Sequence, residues 1–292
     1  NKSKFISSKK IAQLRIDQIY KLSKKEFNID PFSEKLILDS GCGPGRYVKI
    51  MSNYNPKKMI ISAAGKIDHD QFVESIKKSC TNLPTGLSTE RQKADYKSGE
   101  YREDKKLEQI HLLLGFEGID YHHDDYYSLL VYSSLLGGGM SSRLFQEIRE
   151  KRGLVYGISS FSSSYTDTGV FGIYCGTGEN QIQELIPVLC DQLNESPNSI
   201  TEKEINRGKA QLKASLMMGR ESAFRRCESA ARQLLVFNRI IEPAETIKNI
   251  DKVSKETVQK IANEIVKGPI TISSIGPLSK LENIDKIQNR IN

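Results

Sequence analysis

The sequence has 292 residues, room for one large domain or two ordinary ones, and its hydrophobic share of 38% is too high for wholesale disorder. No run of about 18 apolar residues occurs, so no membrane-spanning helix and no membrane partner are expected. Lys and Arg outnumber Asp and Glu 43 to 36, but the basic residues are scattered, so the net charge of +7 does not read as a nucleic-acid footprint.

Five cysteines (Cys42, Cys80, Cys175, Cys190 and Cys227) are odd in number and far apart, and none forms a C-x-x-C pair. That argues against a disulfide framework and against a thiolate zinc site, and fits a reducing, cytoplasmic setting. The chain opens on Asn1 rather than Met, and further sequence upstream is expected.

In chain order, residues 8–27 read as a Lys-rich surface helix. Lys35–Asp39 (K-L-I-L-D) reads as a short buried strand, Ser40–Gly45 as a tight glycine turn, residues 47–54 as a helix and Met59–Ala64 as an apolar strand. Asp68 is placed to cap the next helix, which carries Phe72, Val73 and Ile76 on one face. The polar stretch 81–106 reads as a linker or an edge strand.

From Leu107 the pattern becomes regular. Leu107–Phe116 reads as a strand, and Asp124 or Asp125 as the cap of a helix that ends at Gly137, Gly138 and Gly139. Ser141 or Ser142 caps a further helix, which Gly153 stops. Val155–Tyr165 and Gly169–Gly176 read as a hairpin turning at Thr166-Asp167-Thr168. Helices are expected at 180–194, 201–218, 221–238 and 254–266, with a closing strand over 269–275. Strands grouped with helices outside βαβ order predict an α+β fold, an antiparallel sheet with helices on one face.

Val48–Ile67 and Val258–Leu278 share one layout: helix, polar turn, apolar strand, then Gly-x-Ile or Gly-x-Leu. Either two helix–strand pairs are alike by chance, or each closes one domain of a duplicated pair.

The run E-I-R-E-K-R-G-L-V-Y-G from Glu147 to Gly157 places Arg149 at a helix end and Tyr156 at a strand start. Two such residues can point into one cavity, where Arg supplies fixed donors to a carbonyl or carboxylate and a Tyr hydroxyl can support a developing oxyanion. By spacing alone, a surface ion pair and a strand aromatic explain them better than a shared cavity does.

The segment 124–156, above all Gly-Gly-Gly-Met-Ser-Ser-Arg-Leu-Phe at 137–145, resembles the C-terminal domain of the pitrilysin, insulysin and mitochondrial processing peptidase family. Residues 56–72 resemble the end of that family's N-terminal domain, so the resemblance covers 47–292. It implies half of a clamshell, in which two homologous α+β domains close over an extended, unfolded peptide. It also implies that Arg149 and Tyr156 hold the substrate. Gly137, Gly138 and Gly139 form either a substrate-contacting loop or a plain helix cap.

The family's zinc motif, H-x-x-E-H, is absent: the histidines are His69, His111, His122 and His123. The run His122-His123-Asp124-Asp125 looks like a metal cluster, but adjacent residues at a helix start diverge. The expectation is therefore a metalloendopeptidase-like half with no cofactor of its own. The zinc is expected in a homologous partner domain or subunit, and the isolated chain is not expected to cut peptides.

A second resemblance sits upstream. Leu36–Gly45 (L-I-L-D-S-G-C-G-P-G) resembles the first nucleotide-binding motif of class I S-adenosylmethionine methyltransferases, with Asp39, Gly41, Gly43 and Gly45 as the cofactor-binding positions. The next strand lacks the acidic end such a fold needs, so no complete pocket is expected. The expected layout is a methyltransferase-like fragment at 1–46, the tail of a first peptidase-type domain at 47–85, a linker at 86–106 and the C-terminal peptidase-type domain at 107–292. The competing readings are a methyltransferase and a non-catalytic peptide-binding or assembly subunit.

Overall fold

The computed structural model describes residues 37–40, 59–79 and 93–291. In chain order the elements are β1 (Ile37–Ser40), β2 (Met59–Ser62), α1 (His69–Ser79), β3 (Gly99–Asp104), β4 (Ile110–Gly118), α2 (Tyr126–Gly137), a π-helical segment (Phe145–Glu150), β5 (Val155–Ser164) and β6 (Gly169–Thr177). They continue with α3 (Ile182–Ser199), α4 (Glu202–Glu221), α5 (Ala223–Phe237), α6 (Pro243–Lys252), α7 (Lys255–Val266), β7 (Ile270–Gly276) and α8 (Ile284–Ile291). The chain divides into two compact units, residues 1–92 with 217–241, and residues 93–216 with 242–292.

In the first unit β1 and β2 pair in parallel and α5 packs against both. The Cys227 thiol donates to the Ser62 carbonyl, 2.9 Å away. Asp68 caps α1 as its sequence position predicts, accepting the Gln71 amide at 2.9 Å. His69 is the first residue of this helix. The helix read at 47–54 and the glycines Gly41, Gly43 and Gly45 lie outside the described residues.

The second unit is a five-stranded sheet in the order β3-β7-β4-β6-β5. Strict alternation builds its inner face: Ile110, Leu112, Leu114 and Phe116 of β4 stand beside Phe171, Ile173 and Cys175 of β6 and Ile270 and Ile272 of β7, all buried. The central helix α2 is buried on nearly every side, as its almost continuous apolar run requires, between β5 and α7. Ser254 and Thr257 form a capping box at the start of α7.

The sheet is mixed rather than wholly antiparallel. β4, β5, β6 and β7 pair antiparallel, but β3 runs parallel to β7. β3 forms within the polar stretch read as a linker or an edge strand, and it is the edge strand. Its Arg102 bridges outward from the sheet to the Leu281 carbonyl at 3.1 Å. The hairpin β5–β6 turns where expected and is closed by the Tyr165 amide on the Thr168 carbonyl at 2.8 Å.

Gly65 after β2 and Gly276 after β7 share positive φ, 143° and 135°, a region essentially reserved for glycine. The internal echo seen in sequence thus extends to backbone conformation.

Candidate substrate-binding site

Arg149 sits on the π-helical segment, where the Lys151 amide reaches back five residues to the Gln146 carbonyl at 3.0 Å. Such widened turns recur at functional sites. The segment's start is not capped by a serine hydroxyl. The Ser142 carbonyl accepts the Gln146 amide at 3.0 Å, while its hydroxyl turns back to the Gly139 carbonyl at 2.6 Å. Gly153 closes the segment with φ of 64°, and its amide bonds the Arg149 carbonyl at 3.0 Å.

Of the three cations in the run 149–152, two are spoken for. Glu147 takes Lys151 and, at 3.2 Å, Arg152; the Lys151 hydrogen bond is the main cause that holds the Glu147 carboxyl below its ordinary range. Arg149 lies over the Phe145 ring at 4.6 Å and makes only a loose pair with Glu150 at 3.9 Å.

Tyr156 owes its orientation to a bulge. The β5 register shifts between Val155, opposite Thr177, and Gly157, opposite Gly176. Val155 turns into the core, and the extra residue sends Tyr156 out on the uncovered side, 64% exposed. Its hydroxyl forms no hydrogen bond among the described residues. Arg149 and Tyr156 therefore stand at the two ends of one junction, and among the described residues no bond joins the two side chains.

The three glycines divide. Gly137 is buried at the end of α2, and a Cβ there would overlap the Ser160 amide nitrogen of β5. The Gly138 amide continues the helix to the Ser134 carbonyl at 3.0 Å, and its carbonyl accepts from Gln211 at 2.5 Å. Gly139 is exposed beside Met140, which is 75% exposed and whose carbonyl accepts from Gln146 at 2.6 Å.

Asp125 occupies the first position before α2 but makes no side-chain cap; instead its buried carboxylate takes the Lys260 ammonium at 2.8 Å. His123 Nδ1 accepts the Asp125 amide at 3.0 Å. On the other side of the sheet His111 Nδ1 is 2.7 Å from the Tyr174 hydroxyl, a pairing that sequence reading missed. Its signal is the alternation that puts His111 opposite Gly176, diagonal to Tyr174.

A family profile described as the peptidase M16 inactive domain matches residues 50–212, more than half of the chain. The chain belongs to the peptidase M16 family. Among M16 relatives, an uncharacterized zinc protease of Rickettsia felis is 34% identical over 78% of this chain and 56% of its own length. An uncharacterized zinc protease of Bacillus subtilis is also 34% identical, over 77% and 55%. The probable mitochondrial-processing peptidase subunit beta of Arabidopsis thaliana is 30% identical over 82% and 48%. The chain thus spans about half the length of the curated relatives it matches. A chain of Candida albicans complex III2, solved with Inz-5 bound, has the same fold with a TM-score of 0.70 at 21% identity, over 78% of this chain and 57% of that one. None of these similarities supports the S-adenosylmethionine reading of residues 36–45.

The donor set of the described residues does not fit a zinc ion. Among the described residues no three His, Cys, Asp or Glu side chains are grouped to hold a metal ion. The buried thiols Cys175 and Cys190 are pushed up to about 12 by burial, away from the thiolate that a zinc ligand must be. Nor is any described helix long and apolar enough to cross a membrane.

Proposed function

We propose that this chain is the substrate-binding, non-catalytic half of an M16-type peptidase, acting on extended peptides with a homologous zinc-bearing half. The observation that carries the reading is the Arg149–Tyr156 junction: two polar heads without strong partners, presented by a π-helical turn and a bulge rather than by regular structure. Arg149 has donors for a peptide carbonyl or carboxylate, and Tyr156 offers a hydroxyl to the same backbone. Any hydrolytic chemistry belongs to the partner. The part of this chain is to orient the peptide, which is a positional contribution to catalysis.

Fluorescence anisotropy of a fluorescein-labelled β-casein peptide with the purified chain tests the proposal. Arg149→Ala should weaken binding roughly 10- to 100-fold, the range for a hydrogen bond to a charged group, and Tyr156→Phe roughly 2- to 10-fold. Both variants should keep the wild-type melting temperature. Zinc-dependent cleavage of the peptide by the chain alone would overturn the non-catalytic part. Full binding by both variants would overturn the site and favour an assembly subunit.

A further inference from the structure

The side of the sheet away from the helices is paved in an unusual way. Three of the central-strand positions that face this side are glycines, Gly115, Gly172 and Gly176, all buried, with a polar or aromatic side chain against each. The Phe161 ring occupies the space above Gly172, where a Cβ would collide with it. The Tyr96 hydroxyl reaches the Gly115 carbonyl at 3.2 Å and Thr271 Oγ1 at 2.8 Å. Over Gly176 the Gln109 amide oxygen comes within 3.2 Å, and the Tyr174 hydroxyl within 3.7 Å, of where a Cβ would stand; that hydroxyl meets His111 Nδ1 at 2.7 Å, with the two rings stacked at 6.1 Å.

Gly176 is the meeting point. It pairs with His111 on one side and with Gly157, next to Tyr156, on the other. Neighbouring strands are about 4.8 Å apart. The Tyr174 hydroxyl, drawn over Gly176, therefore lies one strand away from the backbone that carries Tyr156. Tyr174 is 37% exposed, and its oxygen spends one hydrogen-bonding valence on His111. In either tautomer of His111 another valence stays open to a ligand, as donor or as acceptor.

We infer that Tyr174, braced by His111, is a second peptide-positioning hydroxyl beside the Tyr156 site, hydrogen-bonding the main chain of an extended peptide that passes over the exposed Tyr174 side chain. The inference rests on the substrate-binding role proposed for Tyr156. Tyr174 stays exposed above the covered glycines, and a hydroxyl fixed by a second side chain loses less freedom on binding than a free one. Recognition of main chain rather than of a particular side chain suits a site for unfolded polypeptides of varied sequence.

The test uses the full chain and the labelled β-casein peptide. Tyr174→Phe keeps the ring over Gly176 and removes only the hydroxyl. It should weaken binding roughly 3- to 10-fold with no change in melting temperature. In the wild type, peptide binding should shift the His111 Nδ1 resonance in histidine-labelled 15N spectra, and in Tyr174→Phe that shift should vanish, a change that a purely structural tyrosine would not produce. If the wild type binds and Tyr156→Phe weakens it while Tyr174→Phe does neither, this inference fails and the Tyr156 reading stands. If the wild type binds no peptide, both fail.

Discussion

Arg143 grips Glu204 with two nitrogens, Nε at 2.5 Å from Oε1 and Nη2 at 2.8 Å from Oε2, while its remaining Nη1 reaches the Ser199 hydroxyl at 2.6 Å. Glu204 also closes a capping box at the start of α4, accepting the Thr201 amide at 2.9 Å. This one carboxylate ties the turn before the π-helical segment to the α3–α4 corner.

Burial alone would push the Glu204 carboxyl up. Its hydrogen bonds to Arg143 and to the Thr201 amide and hydroxyl outweigh that and hold it at about 2, against an ordinary 4.5. A depressed carboxyl contributes stability above its unfolded value and loses it as pH falls toward the folded one. Wild-type melting temperature should therefore fall between pH 4.5 and pH 2. Glu204→Gln should start lower, by about 1–2 kcal/mol at pH 7 after allowing for solvent, and show a shallower acid decline. Thermal melts at pH 7, 4 and 2.5 check it; parallel acid profiles for both proteins would refute it.

Two glycines that flank the site, Gly137 and Gly153, yield a second prediction because they differ physically. Gly137→Ala drives a methyl into the Ser160 backbone and should destabilise by about 2–3 kcal/mol. Gly153→Ala meets open space but must hold φ at 64°, which costs about 1–2 kcal/mol. Urea titrations rank the two. A Gly137→Ala variant as stable as wild type would mean that α2 and β5 approach less closely than described.

The contrast between Gly137 and Tyr156 shows what sequence can reveal. Alternation in Ile110–Phe116 and Phe171–Cys175, the β5–β6 turn and the Asp68 cap are local patterns, and they appear where expected. The parallel pairing of β3 with β7 joins residues about 170 positions apart, beyond the reach of any local pattern. The helices α6 and α8 are short, and their few apolar residues dock on surfaces made elsewhere. At the site, Arg149 and Tyr156 were legible as a junction, but the π-helical winding, the bulge and the His111–Tyr174 bond depend on register, which only the assembled sheet fixes.

Cysteine chemistry gives a third test. Cys175 and Cys190 are buried, and desolvation of the thiolate pushes both up to about 12, so neither is a nucleophile at neutral pH. With Cys42 and Cys80 replaced by Ser, the native chain should react with Ellman's reagent at Cys175 and Cys190 only as fast as it unfolds. Mass spectrometry after timed quenching identifies the sites. Labelling of either within seconds, without denaturant, would contradict the burial.

The last prediction concerns Tyr132, fully buried in α2, with its hydroxyl 2.8 Å from Ser196 Oγ and its ring stacked on Phe171 at 5.5 Å. Burial raises its ionisation to about 12 from 10, more than the Ser196 hydrogen bond and the Arg143 charge lower it. A phenol raised in the folded state contributes stability below its unfolded value and loses it as pH climbs toward the folded one. Between pH 10 and 12 the wild type should therefore lose about 2–3 kcal/mol that Tyr132→Phe does not. At pH 7 the order reverses: Tyr132→Phe costs about 1 kcal/mol for the lost bond, with Ser196 still held by the Leu193 carbonyl at 2.9 Å. Urea titrations of both proteins at pH 7 and pH 11 decide it, and equal alkaline losses would show that the hydroxyl reaches water.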